Sequence, residues 1–266
     1  MTGAPLFFLS LIFLTTSAIS VVTGSTSLIT VPAMFQFHID PRTAVATNMF
    51  ALTFMSVGGA LPFLRGQAID RKRLPLLIAL TLAGSVIGAF LLLVVPTRSV
   101  STIVSVAMIA VALFSVLYRN AGLPDAAGTP SPSAVVACYV LTFLLGIYGG
   151  FFSGGYVTLL TAVYVALLRM SFVQAIAITK IINVFSSAVA SGIFMERGLI
   201  DYRLGLILGI AMFVGALFGA RFAVRVGDLW LRRIFLTAVW ALGLKALLFD
   251  LFTKSACCGL PTHTAQ

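Results

Sequence analysis

Long stretches without a charged residue are the feature that most limits what this chain can fold into. Asp, Glu, Lys and Arg are absent from residues 1–39, 43–64, 74–97, 99–118, 126–168 and 204–220. About 20 apolar residues are enough for an α-helix to cross the hydrocarbon core of a bilayer. The strands of an outer-membrane β-barrel would instead alternate polar and apolar residues over short stretches. The sequence therefore predicts an all-α integral membrane protein, and its 9% of charged residues are too few to cover a soluble domain.

The net charge of +10 raises the question of which partner the basic residues meet. Nucleic-acid binding needs a basic face on a folded domain, which this sequence does not offer. Basic loops that face anionic lipid on the cytoplasmic side account for the charge instead. The N-terminal residues 1–10 lack the Lys or Arg of a signal peptide, so we expect them to stay in the mature protein. The predicted partner is thus the lipid bilayer and not nucleic acid, and the predicted location is the bacterial inner membrane.

The sequence contains an internal repeat. A shift of 131 positions aligns residues 47–70 with residues 178–201, and residues 119–133 between the two matching regions are rich in Pro and Gly. Such internal repeats are common in transporters. We therefore predict a first transmembrane repeat at 1–118, a linker at 119–133, a second transmembrane repeat at 134–252 and a polar C-terminal tail at 253–266.

Each half opens with an apolar stretch of unusual length. Residues 5–37 and 134–168 span 33 and 35 residues, too many for one crossing and too few for two crossings, which need about 40 residues plus a turn. A broken or re-entrant helical hairpin fits this length, with breaks at residues 24–27 and 153–155, where Gly permits a turn. The alternative is one long tilted helix in each half.

Loop charges favour the hairpin. If all eight apolar segments cross, the six above together with 170–195 and 234–249, the 15 Lys and Arg residues outside these segments divide eight against seven between the two sides. If each opening segment instead returns to its own side, they divide ten against five, which agrees with the enrichment of basic residues in cytoplasmic loops. Three transmembrane helices then follow each hairpin. Because three is an odd number, the two repeats are predicted to be inverted relative to each other.

The sequence offers no apparatus for catalysis. All seven acidic residues lie at segment ends or in loops, and neither His38 nor His263 belongs to a metal-binding spacing such as H-E-x-x-H. A metal site at Cys257, Cys258 and His263 is disfavoured, because adjacent cysteines in a terminal tail are more often unstructured. We therefore predict a protein that is not an enzyme and that holds neither a cofactor nor a metal.

Lys180 is the most informative polar residue, because it lies inside the apolar segment 170–195. Ionisable groups within a membrane segment are expensive and usually functional. Asn183 shares its helical face, Thr179 precedes it, and Thr47 with Asn48 is the counterpart in the first half. The alternative is that Lys180 extends its ammonium to the membrane interface.

The two predicted breaks complete the candidate site. A half-helix that begins inside the bilayer presents unpaired backbone N–H groups and the positive end of its dipole, which suits an anion. Together with the lysine, these ends predict an electropositive centre. The predicted substrate-binding residues are Lys180, Asn183, Thr179, Asn48, Thr47, Gly24, Ser25, Thr26, Ser27, Ser153, Gly154 and Gly155.

These motifs also resemble a known family. GSTSLITVP at 24–32 and the segment 47–70 in the first half, with GIYGGFFSGG at 146–155 and TKIINVFSS at 179–187 in the second, are similar to the repeats of the TauE/SafE sulfite exporter family. The resemblance implies a membrane transporter of sulfite, organosulfonates or related sulfur-containing anions. The family's first repeat usually has a lysine after Thr-Asn, where this chain has Met49.

The working hypothesis is therefore alternating access between two inverted repeats, with a small sulfur-containing or carboxylate anion as substrate. A channel-like anion pore and a non-transporting membrane scaffold subunit are the alternatives. The direction of transport and the oligomeric state are left open, a homodimer included.

Overall fold

A computed structural model describes residues 3–64, 72–118 and 130–226, and the described residues are almost entirely helical. Six of the helices, α1, α3, α4, α6, α8 and α9, are long and apolar enough to cross a membrane, which confirms the predicted all-α membrane architecture. The helices are α1 (Ala4–Thr23), α2 (Ser27–Gln36), α3 (Pro41–Leu64), α4 (Leu74–Val94), α5 (Thr97–Tyr118), α6 (Pro132–Phe151), α7 (Tyr156–Leu168), α8 (Phe172–Glu196) and α9 (Tyr202–Val226).

The first opening segment is broken where the sequence predicts. Helix α1 ends at Thr23, and Gly24 adopts a left-handed conformation with φ 72° while its N–H donates to Ser20 O at 2.8 Å. Glycine takes this conformation without steric cost, so it can reverse the chain here. Helix α2 then runs back, because Leu6 at the start of α1 and Ile39 after α2 line the same shallow pocket.

The second opening segment is also broken into two helices. Helix α6 ends at Phe151, Gly155 has φ 76°, and α7 begins at the next residue. Helix α7 returns alongside α6, since the Thr142 hydroxyl on α6 donates to the Tyr164 hydroxyl oxygen on α7 at 3.4 Å. The alternative of one long tilted helix in each half is therefore wrong.

The arms of the two hairpins differ in length. Helices α1 and α6 each have 20 residues, enough to cross a membrane, whereas α2 and α7 have 10 and 13. Each opening segment is thus one long helix followed by a short returning helix. The breaks, at residues 24–26 and 152–155, consequently lie beyond the midpoint of each segment.

Each hairpin packs against a helix of the other half. In α9, a Cβ atom on Gly219 would meet the backbone of Ala18 in α1, and in α4 a Cβ atom on Gly88 would meet the carbonyl oxygen of Ile147 in α6. Small residues let two helix backbones approach closely in a membrane, where packing replaces the hydrophobic effect. The first hairpin is therefore docked on the second half, and the second hairpin on the first half.

Helix directions follow from contacts at the start of α3. The Arg42 side chain donates to Leu93 O at 3.2 Å, so the end of α4 lies beside the start of α3. The Asp201 N–H donates to the Thr47 hydroxyl at 3.1 Å, so the start of α9 lies there as well. Helices α4 and α9 therefore run in opposite directions. Helix α6 runs parallel to α4, since Gly84 lies against Phe143 and Gly88 against Ile147, and α1 runs parallel to α9, since Gly215 lies against Leu14 and Gly219 against Ala18. The two hairpins therefore enter the helical bundle from opposite ends.

Helices α3 and α8 form the centre of the bundle and are the most buried of the six long helices. They run antiparallel, since Asn183 Nδ2 donates to Ser56 Oγ at 2.6 Å and the Thr53 and Ser191 hydroxyls lie 3.4 Å apart. Both helices therefore present polar side chains to the interior between the two hairpins.

Several sequence predictions fall on residues outside the described part of the chain. These are most of the linker at 119–133, the last transmembrane segment of the second repeat and the C-terminal tail at 253–266. The domain boundaries and the division of loop charges consequently stay predictions.

Candidate functional site

Lys180 lies in the interior of the bundle, in the first half of α8. Its side chain is 1% exposed, and its Nζ donates to Ser20 O in the last turn of α1 at 3.3 Å. The aliphatic part of the side chain passes Gly59 of α3, where an added Cβ atom would lie 3.5 Å from Lys180 Cδ. Lys180 therefore does not extend to the surface, which was the alternative interpretation of this residue.

The charge of Lys180 is only partly compensated. The carboxyl end of α1 carries a partial negative charge and faces the ammonium. The acidic residues that the structure describes, Asp40, Glu196 and Asp201, are exposed at helix ends, and none of these three forms an ion pair with Lys180. A buried cation without a carboxylate partner favours an anionic ligand nearby.

Asn48 on α3 forms two hydrogen bonds with α2, the returning helix of the first hairpin. Its Oδ1 accepts from Thr30 Oγ1 at 2.7 Å, and its Nδ2 donates to Ser27 Oγ at 2.9 Å. The corresponding residues of the second half, 131 positions later, are Thr161 on α7 and Thr179 on α8. Their side chains are shorter, and their hydroxyls lie 3.5 Å apart. Both hairpin breaks are thus held against the central helices by polar contacts.

The tips of the two hairpins touch each other. The Thr158 hydroxyl in the first turn of α7 donates to Thr23 O at the end of α1 at 2.5 Å. A Cβ atom on Gly24 would lie 2.6 Å from Thr158 N, and one on Gly154 would lie 2.9 Å from Leu28 Cδ2. The two breaks therefore meet inside the bundle, and glycine is required at the point of contact.

The other predicted residues at the breaks are buried around this contact. The hydroxyls of Thr23 and Ser25 lie 3.0 Å apart, and the Thr26 hydroxyl donates to the Met55 sulfur at 3.3 Å. Ser153 is 6% exposed. Gly24, Gly154 and Gly155 are buried as well.

Thr47 is the exception among the predicted residues. Its hydroxyl accepts from the Asp201 N–H, which joins α3 to the start of α9 instead of to the hairpin tips. Three residues at the contact, Ser20, Thr23 and Thr158, are not among those predicted from the sequence. Extending the shift of 131 positions from residues 47–70 back to the breaks pairs Thr158 with Ser27, so the sequence contained a signal for Thr158.

Comparisons with known proteins agree with this architecture. The family described as "Sulfite exporter TauE/SafE" matches residues 9–246. The chain belongs to this family. As a TauE/SafE protein, it is a multi-pass bacterial membrane protein and a membrane transporter of the TauE/SafE type.

Individual relatives carry the same type of name. A "Probable membrane transporter protein ORF9" from Sinorhizobium sp is 30% identical over 85% of this chain and 86% of its own length. The "Probable membrane transporter protein YfcA" of Escherichia coli K12 is 25% identical over 92% of this chain and 89% of its own. A "Probable membrane transporter protein" from Haemophilus influenzae is 24% identical over 81% and 84%. These relatives are named transporters and not enzymes. No solved structure matches the chain significantly.

Proposed function

We propose that this TauE/SafE protein carries small monoanions, sulfite in its hydrogen sulfite form or organosulfonates, by alternating access between two inverted repeats. The buried ammonium of Lys180 is the observation that carries the proposal, because a monoanion beside it supplies the counter-charge that the described residues lack. Asn183 and the broken ends of α2 and α7 contribute hydrogen-bond donors and the positive ends of helix dipoles.

A single lysine in the candidate site favours a substrate with one negative charge. In the alignment of the two halves, the position of Lys180 in α8 corresponds to Met49 in α3, which is apolar and 1% exposed. The carboxyl end of α1 already offsets part of the ammonium charge through its contact at Ser20 O. A dianion would therefore bring more negative charge into the interior than one lysine compensates, and desolvating it would cost more than the contact returns.

Alternating access is supported by the arrangement of the hairpins. They enter from opposite ends, each docks on a helix of the other half, and their tips touch at Thr158 and Thr23. Movement of one hairpin with the helix it contacts opens the centre to one side and leaves the other side closed. An inside-negative potential then drives anion export by about 2.3 kcal/mol per charge per 100 mV, so no coupling ion is required.

A thermal-shift screen of the purified protein tests the class of substrate. We expect methanesulfonate and hydrogen sulfite to raise the melting temperature, because a ligand at about 100 times its dissociation constant stabilises the native state by about 2.7 kcal/mol. Sulfate at the same concentration and ionic strength should raise it much less. Lys180→Met is the control variant and should lose the response to the monoanions. An equal or larger response to sulfate would contradict the proposed monoanion preference.

A further inference from the structure

A second buried polar group lies between α4 of the first half and α7 and α8 of the second, and we call it the hydroxyl cluster. It consists of Thr81 and Ser85 on α4, Tyr156 on α7 and Ser186 on α8, and each of these residues is at most 2% exposed. The Ser85 and Ser186 hydroxyls are 2.6 Å apart, and the Ser85 hydroxyl also lies 3.4 Å from Gly146 O. Three helices thus direct hydroxyl groups to one point beside the tip of the second hairpin.

Two of these hydroxyls, those of Tyr156 and Thr81, face each other but make no hydrogen bond of regular geometry. Among the buried side-chain polar atoms that the structure describes, only three are unpaired, and the Tyr156 hydroxyl and Thr81 Oγ1 are two of them. The Tyr156 hydroxyl faces Thr81 and Ser186, and its ring fills the space left by Gly149, where a Cβ atom would lie 2.8 Å from it. Buried hydroxyls without a well-formed hydrogen bond are costly and rare. A ligand with an acceptor oxygen would satisfy both.

We propose that the hydroxyl cluster is a second, uncharged binding position for the transported oxyanion. This inference rests on the proposed function and extends it, because it adds a site on the path to and from Lys180. The hydroxyls of Tyr156 and Thr81 donate to oxygens of the anion, and Ser85 and Ser186 complete the polar surroundings. A bound cation does not fit as well, because the cluster consists of neutral hydroxyls and brings no carboxylate to the ion.

The position of the cluster supports a role in transport. Ser85 aligns with Ala216 under the shift of 131 positions, and Ala216 lies beside the stem of Lys180 at Gly59. The hydroxyl cluster and the surroundings of Lys180 are thus corresponding places under the two hairpins, one neutral and one charged. Passage through a membrane requires binding that is strong enough for entry and weak enough for release. A neutral site beside a charged one provides such a step for release.

Isosteric variants test the second position. We expect Tyr156→Phe and Thr81→Val each to lower anion flux in proteoliposomes about ten-fold, the value of one hydrogen bond, while the dissociation constant of the purified protein changes less than about two-fold. The double variant should be no slower than the slower single variant, because both hydroxyls serve one ligand. Tyr164→Phe removes the other fully buried tyrosine hydroxyl of α7 and should leave flux unchanged.

The outcomes separate this inference from the proposed function. If Tyr156→Phe and Thr81→Val transport as fast as Tyr164→Phe, the second position is wrong. If they only lower the melting temperature, the hydroxyl cluster holds a structural water, and the inference fails as well. These results leave the proposed function intact as long as Lys180→Met abolishes flux. Normal flux in Lys180→Met overturns the proposed function itself.

Discussion

Replacing Lys180 by Met should abolish saturable anion flux. Methionine fills nearly the same volume, so the variant removes the charge while it keeps the packing against Gly59. Loss of a buried charge pair typically costs 2–5 kcal/mol, so we expect flux in proteoliposomes to fall about a hundred-fold or more. Without ligand, the melting temperature should stay the same or rise, because the variant no longer buries a cation that lacks a carboxylate partner.

The matched control is Lys72→Met, which removes an exposed cation just before α4. This variant should transport at the rate of the unaltered protein. Counterflow belongs to the same experiment, since a carrier exchanges labelled for unlabelled anion through a saturable site and a pore does not. Undiminished flux in Lys180→Met with full-length, folded protein would contradict the role assigned to this residue.

Gly24→Ala should also stop transport, by a different physical route. Gly24 has φ 72°, which costs an L-residue roughly 1–2 kcal/mol. Its added Cβ atom would lie 2.6 Å from Thr158 N and 2.9 Å from Val157 Cβ, so the hairpin tips must separate. Overpacking adds about 1–3 kcal/mol. We expect a lower melting temperature and a loss of flux of about ten-fold or more.

Gly198→Ala separates the two causes. Gly198 also has a positive φ, 63°, but a Cβ atom there would meet nothing within 4 Å. This variant should show the backbone strain alone, with a small decrease in melting temperature and normal flux. If Gly24→Ala and Gly198→Ala behave alike in both measurements, close contact between the tips has no part in transport.

The sequence predicts the main features of the fold for identifiable physical reasons. Segments of 33 and 35 apolar residues fit neither one crossing nor two, and glycine marks the place where each can turn, so both breaks are predicted correctly. The place of Lys180 within an apolar segment identifies it as a candidate because a charge in that environment is expensive. These features depend on length and local composition, which one sequence contains.

Features that depend on contacts between distant segments cannot be predicted from length and local composition. Thr47 aligns with the candidate site in sequence but points to Asp201, because the rotation of α3 relative to its neighbours is set by packing. Nothing in the pattern indicated that each hairpin would dock on the opposite half, or that Tyr156 and Thr81 would meet.

The most direct measurement of the central claim is to locate the anion itself. Selenite is the selenium analogue of sulfite, and its anomalous scattering identifies its position in crystals of the protein. We expect a selenium peak between the two hairpin tips, within about 4 Å of Lys180 Nζ, the distance expected when an oxyanion oxygen accepts from an ammonium. A selenium peak elsewhere in the bundle, with Lys180 Nζ still bound to Ser20 O alone, would contradict the central claim.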